Sequence, residues 1–109
     1  MLRPLDKRGR KQAKALGKEL RARGVKRVFS SPYVRCMQTV APLGLEIVPD
    51  ERLAEGAPAA ETRSLLDSVD DAVACTHGDV VANILGRPLK KGAGVVLDGD
   101  RELEEIPAP

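Results

Sequence analysis

Short apolar runs alternate with segments of helical periodicity along the whole chain, and this alternation constrains the fold more than any single residue does. "KRVFSS" (26–31) and "LEIVP" (45–49) have the length and content of short buried strands, and "AVACTH" (72–77) is the continuous apolar run of a strand covered on both faces. Between them lie helical segments. Residues 7–23 place Ala13, Leu16 and Leu20 on one stripe, with Asp6 as N-cap and Gly24 just past the end. A second helix is predicted from Pro32 to Ala41 and ended by Pro42, a third over "AAETRSLLDSV" (59–69), and a fourth from Gly78, stopped by Gly86. "GVVLDGDRELEEI" (94–106) reads as two strands about a turn at Asp98, Gly99 and Asp100, and the last three residues, "PAP", as a frayed tail. The order α, β, α, β, α, β, α, β, β predicts an α/β fold, a mostly parallel sheet with helices on both faces, in a single domain over 1–109.

With one Phe, one Tyr and no Trp, the core must be built from Leu, Val, Ala and Ile. Gly9 and Gly17 fall inside the first helix, where each costs about 1 kcal/mol relative to Ala, a cost that points to close packing. The net charge of +2 conceals an asymmetry: residues 1–40 carry 12 Lys and Arg against 2 acids, and residues 41–109 carry 6 against 14. The basic charges fall mostly on one amphipathic helix, a folded acidic half can neutralise them, and aromatic stacking platforms are lacking, so nucleic acid is not an expected partner. Cys36 and Cys75 are far apart in sequence with no signal peptide before them, which suggests reduced thiols in a cytoplasmic setting. No apolar run approaches the roughly 18 residues of a membrane span, so no membrane partner is expected.

In open α/β sheets, ligands gather at the carboxyl ends of the strands. Three features fall there: "SSP" followed by Arg35, "LAEG" with Glu55 in the loop after a strand, and "CTHGD", with His77 at a strand tip and Gly78 opening the next helix. Taken singly, they read as a helix charge, a loop acid and a structural histidine. One cation, one acid and one imidazole at one edge would make a phosphate site. A zinc site has no compact ligand set here, and Ser30 or Ser31 lacks the strand-turn-helix setting of a nucleophile elbow. No metal and no cofactor is expected.

"SSPYVRCMQT", "LAEG" and "CTHGDVV", in this order and at these intervals, resemble the histidine phosphatase superfamily, which includes the phosphoglycerate mutases. The small phosphohistidine-phosphatase-like branch is the nearest likeness, similar modules also follow nudix domains, and "LRPLDKRGRKQAKAL" resembles the segment and first helix after that branch's catalytic loop. The resemblance implies a phosphoglycerate mutase-like fold and a hydrolase that passes a phosphoryl group to a histidine and then to water. It implies that Arg35 binds phosphate, that His77 holds the phosphoryl oxygens and stabilises charge in transfer, and that Glu55 protonates the leaving oxygen. Ser31 would add a hydroxyl to the phosphate pocket.

The departure from the pattern concerns the nucleophile. The family opens with a strand ending in Arg-His-Gly, whose histidine accepts the phosphoryl group; this chain has one histidine, His77, and no "RHG". The resemblance therefore implies an N-terminally incomplete or truncated domain without its first, interior strand, catalytically impaired as this chain. A non-catalytic module binding phosphate ligands or proteins, a strand contributed by a neighbouring subunit, and His77 acting as nucleophile are the alternatives. The expected partner is a phosphorylated small molecule or phosphoprotein, with a dimer possible through the exposed sheet edge.

Overall fold

Helix α1 (Lys7–Ala22) begins where the Asp6 carboxylate accepts the Gly9 N–H at 2.7 Å, and closes past Arg23 with Gly24 left-handed at φ 80°. Its buried side is Ala13, Gly17 and Leu20, with Leu16 half-buried beside them. Gly17 bears out the close packing expected of it. A Cβ there would lie 3.2 Å from Pro42 Cβ and 3.3 Å from the Pro42 carbonyl carbon, so α1 rests directly on the 3-10 turn Ala41–Leu43. The computed structural model describes residues 6–90, 93–98 and 101–107. Residues 1–5, the centre of the expected 98–100 turn and the last two residues of the expected tail lie outside the described residues.

Strand β1 (Arg27–Ser30) is the middle of a three-stranded parallel sheet, flanked by β2 (Ile47–Pro49) and β3 (Ala72–Cys75). Alternation along the strands assigns the two faces. Val28, Val73 and Cys75 turn toward a cluster with Leu20 of α1, Leu43, and Val40 of helix α2 (Val34–Val40). Phe29, Ala72 and Ala74 turn the other way, onto Leu53 and onto Leu65 of helix α3 (Ala59–Asp67). Helix α4 (Gly78–Leu85) lies on α3, where the Arg63 guanidinium donates to the Ile84 carbonyl at 2.6 Å, and it stops at Gly86 with φ 74°. Helices thus cover both faces of the sheet.

Strands β4 (Gly94–Asp98) and β5 (Arg101–Ile106) form a separate antiparallel pair, irregular between Val96 and Leu97. Among the described residues β3 pairs only with β1, and the hairpin is not bonded to it. That edge position explains one difference from the sequence reading: Ala72–Cys75 are half-buried throughout, because two covered faces do not close an open side. Thr76 and His77 lie beyond the strand. Helix α2 starts at Val34, two residues later than the pattern suggests, because Ser31 and Pro32 are used in the turn off β1; Pro42 sits inside the following 3-10 turn, where its missing N–H is tolerated.

Candidate active site

The three parallel strands end level. Ser30 stands opposite Pro49 on one side and Cys75 on the other, so the segments 31–33, 50–58 and 76–77 leave the sheet at one edge. Two backbone bonds carry the ladder past the strands: the Ser31 N–H donates to the Cys75 carbonyl and the Asp50 N–H to the Ser30 carbonyl, each at 2.9 Å. Ser30 and Ser31 are both fully buried. A buried hydroxyl must find partners. Ser30 Oγ donates to the Ser31 carbonyl at 2.8 Å, and Ser31 Oγ accepts the Tyr33 N–H at 3.3 Å while lying 2.8 Å from His77 Nε2.

His77 is half-buried and stands at the N-cap of α4 in extended conformation, its carbonyl accepting the Val81 N–H. The edge of one ring meets the face of the other between His77 and Tyr33, with centroids 4.8 Å apart at 72°. The imidazole is therefore fixed by a hydroxyl at Nε2 and an aromatic ring beside it. Cys36 Sγ comes within 3.8 Å of the same Nε2 and 3.9 Å of the Thr76 carbonyl.

Of the four residues singled out from the sequence, the fold brings Ser31 and His77 into direct contact across 46 positions of chain. Arg35 lies in the first turn of α2, half-buried, and among the described residues its guanidinium bonds to no other side chain; its charge is felt by Cys36. Glu55 is exposed on the 50–58 loop and does not touch His77, but its loop is tied to the His77 junction twice. Thr76 Oγ1 donates to the Leu53 carbonyl at 2.6 Å, and the Gly56 N–H donates to Asp79 Oδ2 at 2.9 Å.

Sequence reasoning missed Tyr33, Cys36, Thr76 and Asp79. All four lie within the quoted motifs, and Tyr33 is one of two aromatic residues in the chain, so a signal was present for it. The cysteines look remote on paper, yet the fold sets Cys75 against the cluster that holds Val40 of α2 and Cys36 Sγ 3.9 Å from the carbonyl of the adjacent Thr76, which brings the two thiols into contact. That contact, with Ser31 and the charge of Arg35 assisting, holds the Cys36 thiol below its ordinary value against the opposing effect of burial. The same contact, burial and the charge of Cys36 push the Cys75 thiol well up.

The geometry sets a ring nitrogen against a buried hydroxyl at the sheet edge, with Arg35 in the first turn of the adjoining α2, groups that suit an anion rather than an apolar ligand. The protein histidine phosphatase SixA, solved in complex with tungstate, superposes with a TM-score of 0.76 over 97% of this chain and 85% of that one, at 20% identity, a likeness of fold. An 8-oxo-(d)GTP phosphatase of Mycolicibacterium smegmatis (strain ATCC 700084 / mc(2)155) is 36% identical over 94 residues, covering 76% of this chain and 29% of that protein. The chain thus spans less than a third of that relative's length. Residues 3–65, more than half the chain and including "SSPYVRCMQT" and "LAEG", match the histidine phosphatase superfamily (branch 1), and to that superfamily the chain belongs.

Proposed function

We propose that this chain forms the phosphate-holding part of a phosphomonoester or phosphohistidine phosphatase site. The observation that carries the reading is the 2.8 Å contact between Ser31 Oγ and His77 Nε2 at the carboxyl edge of the sheet. A phosphoryl group arriving there takes the place of the serine as partner of Nε2. His77 Nε2 donates to one phosphoryl oxygen, the Arg35 fork donates to two more, and the Ser31 hydroxyl turns to follow. These donors stabilise charge that grows on the equatorial oxygens as the group transfers. Glu55, carried on the loop that Thr76 and Asp79 tether, supplies a proton to the leaving oxygen.

The phosphohistidine route needs a second histidine as acceptor, and His77 is the only one in these 109 residues. Alone, this chain therefore binds phosphate esters without turning them over, and a catalytic form is completed by an N-terminal strand bearing the nucleophile. A reducing, cytoplasmic setting suits the two free thiols. No helix among the described residues is long and apolar enough to cross a membrane. The partner is a phosphorylated small molecule, such as a nucleotide, or a phosphoprotein. A second chain would add at the outer edge of β3, to be checked by sedimentation.

The test is calorimetric titration of the chain with inorganic phosphate, alongside phosphate release from p-nitrophenyl phosphate. Binding is expected, with Arg35→Ala and His77→Asn each weakening it about tenfold or more through loss of a charge-assisted bond. No release is expected. Binding indifferent to both substitutions would sink the site assignment, and release that depends on His77 would make His77 the nucleophile. Binding without release, in the longest form of the protein that cells contain, would favour a non-catalytic binding module.

A further inference from the structure

Cys36 and Cys75 belong to different parts of the chain, and neither has a part in the phosphate chemistry above. Cys36 is one residue after Arg35, in the first turn of α2, and is 6% exposed; Cys75 ends β3, two residues before His77. Cys75 packs against the cluster that holds Val40 of α2, one turn on from Cys36, and Cys36 Sγ lies 3.9 Å from the carbonyl of Thr76, the residue after Cys75, so the two thiols face each other between α2 and the end of β3. Cys36 Sγ also faces His77 Nε2 at 3.8 Å, the nitrogen that Ser31 engages at 2.8 Å. The pair thus lies beneath the candidate site and touches its imidazole. Among the described residues no group of three or more His, Cys, Asp or Glu could hold a metal ion.

We propose that Cys36 and Cys75 are a peroxide-sensitive pair that closes to an intramolecular disulfide and thereby switches the phosphate site off. The roles of the two thiols are unequal. Cys36, with Cys75, Ser31 and the Arg35 charge favouring its thiolate, is the nucleophile; Cys75, held protonated, is the resolving thiol. The Cys36 thiolate attacks one oxygen of hydrogen peroxide, the O–O bond breaks, and hydroxide leaves and is protonated to water, giving Cys36 sulfenic acid. Cys75 sulfur then attacks the sulfenic sulfur, the S–O bond breaks, and the departing hydroxyl takes the Cys75 proton as a second water. Two thiols are oxidised and one peroxide is reduced, with no other reactant.

Closing the pair brings the sulfurs to about 2.05 Å, which draws the first turn of α2 toward the end of β3. Cys36 gives up its contacts with His77 and the Thr76 carbonyl, and Arg35, the adjacent residue, is carried along. The switching half of the proposal rests on Arg35 and His77 being the phosphate holders; the chemistry of the thiols does not.

The experiment exposes the reduced protein to hydrogen peroxide, then counts alkylatable thiols and measures intact mass without reductant. The expected product is a monomer lighter by two hydrogens, with no free thiol, restored by dithiothreitol. In Cys75→Ser, dimedone is expected to label Cys36; in Cys36→Ser, Cys75 should remain unlabelled, and circular dichroism checks that both variants fold. Two thiols persisting in the wild type, a disulfide between chains, or labelling that begins at Cys75 overturns the pair. Inorganic phosphate is then titrated into both forms. Oxidation is expected to weaken binding about tenfold, reversibly. Equal binding by the two forms overturns the switch, whereas a reduced protein that binds no phosphate overturns the site assignment and leaves the thiol result standing.

Discussion

The three-stranded sheet and the terminal hairpin both pack near α1, but different forces hold them. The sheet is sealed by apolar residues on both faces, with Leu53 at 0%, Val28 at 1% and Leu65 at 2% exposure. In β5 every residue but Ile106 is exposed, and its further ties are ion pairs: Arg23 to Glu104 at 2.8 Å, Arg87 to Glu105 at 3.0 Å, and Arg87 to Glu102. Burial is worth far more than a solvent-screened pair. The region that carries the site is thus fixed by its core, and the hairpin can loosen without displacing Ser31 from His77.

Substitutions in the two regions should separate them. The largest effect is expected from Leu65→Ala, which empties the second cluster beneath Phe29 and Leu53: a loss of about 2–5 kcal/mol in denaturant titration, with phosphate binding weakened because the 50–58 loop loses its floor. Ile106→Ala removes the hairpin's anchor in the first cluster and should cost about 2 kcal/mol. Hydrogen exchange should then quicken in β4 and β5 while β1 amides stay protected. Equal quickening in both would erase the distinction. Gly17→Ala gains helix propensity but drives a methyl against the rigid Pro42, so a net loss of about 1 kcal/mol is expected from the same titration.

Smaller effects come from charge. The Arg52 guanidinium beside Asp50 holds that carboxyl below the usual range, and Arg23 does the same to Glu104. Because the folded pKa is the lower one, each contribution is complete above the ordinary carboxylate value of about 4 and fades as pH falls through the depressed one. Acid titration of stability should therefore be shallower in Asp50→Asn than in the wild type. Arg87→Gln should have the least effect, detectable at low salt in hairpin exchange and gone at high salt.

Much of this was legible in the sequence because it is local. The Asp6 cap, the Gly24 and Gly86 stops, the stripe of α1 and the strand-to-helix junction at His77 each depend on neighbours within a turn or two. Strand pairing does not: β1 touches both β2 and β3, and nothing inside "KRVFSS" states that order. The family resemblance supplied the meeting of "SSP" and "CTHGD", yet not the manner of it. The hydroxyl at Nε2, the Tyr33 ring and the thiol pair arise from side chains 39 to 46 positions apart, a separation at which periodicity is silent. Glu55 remained a motif letter, since an exposed loop acid acquires geometry only when a ligand is present.

The loop that bears Glu55 is pegged at Leu53 by Thr76 and at Gly56 by Asp79, leaving two residues between the pegs. Such a stretch behaves as a cassette. Insertions and exchanges between the pegs can reshape the mouth of the site while the imidazole and its hydroxyl stay where they are. Descendants of this scaffold can thus change what they recognise by editing a few codons, without renegotiating the fold.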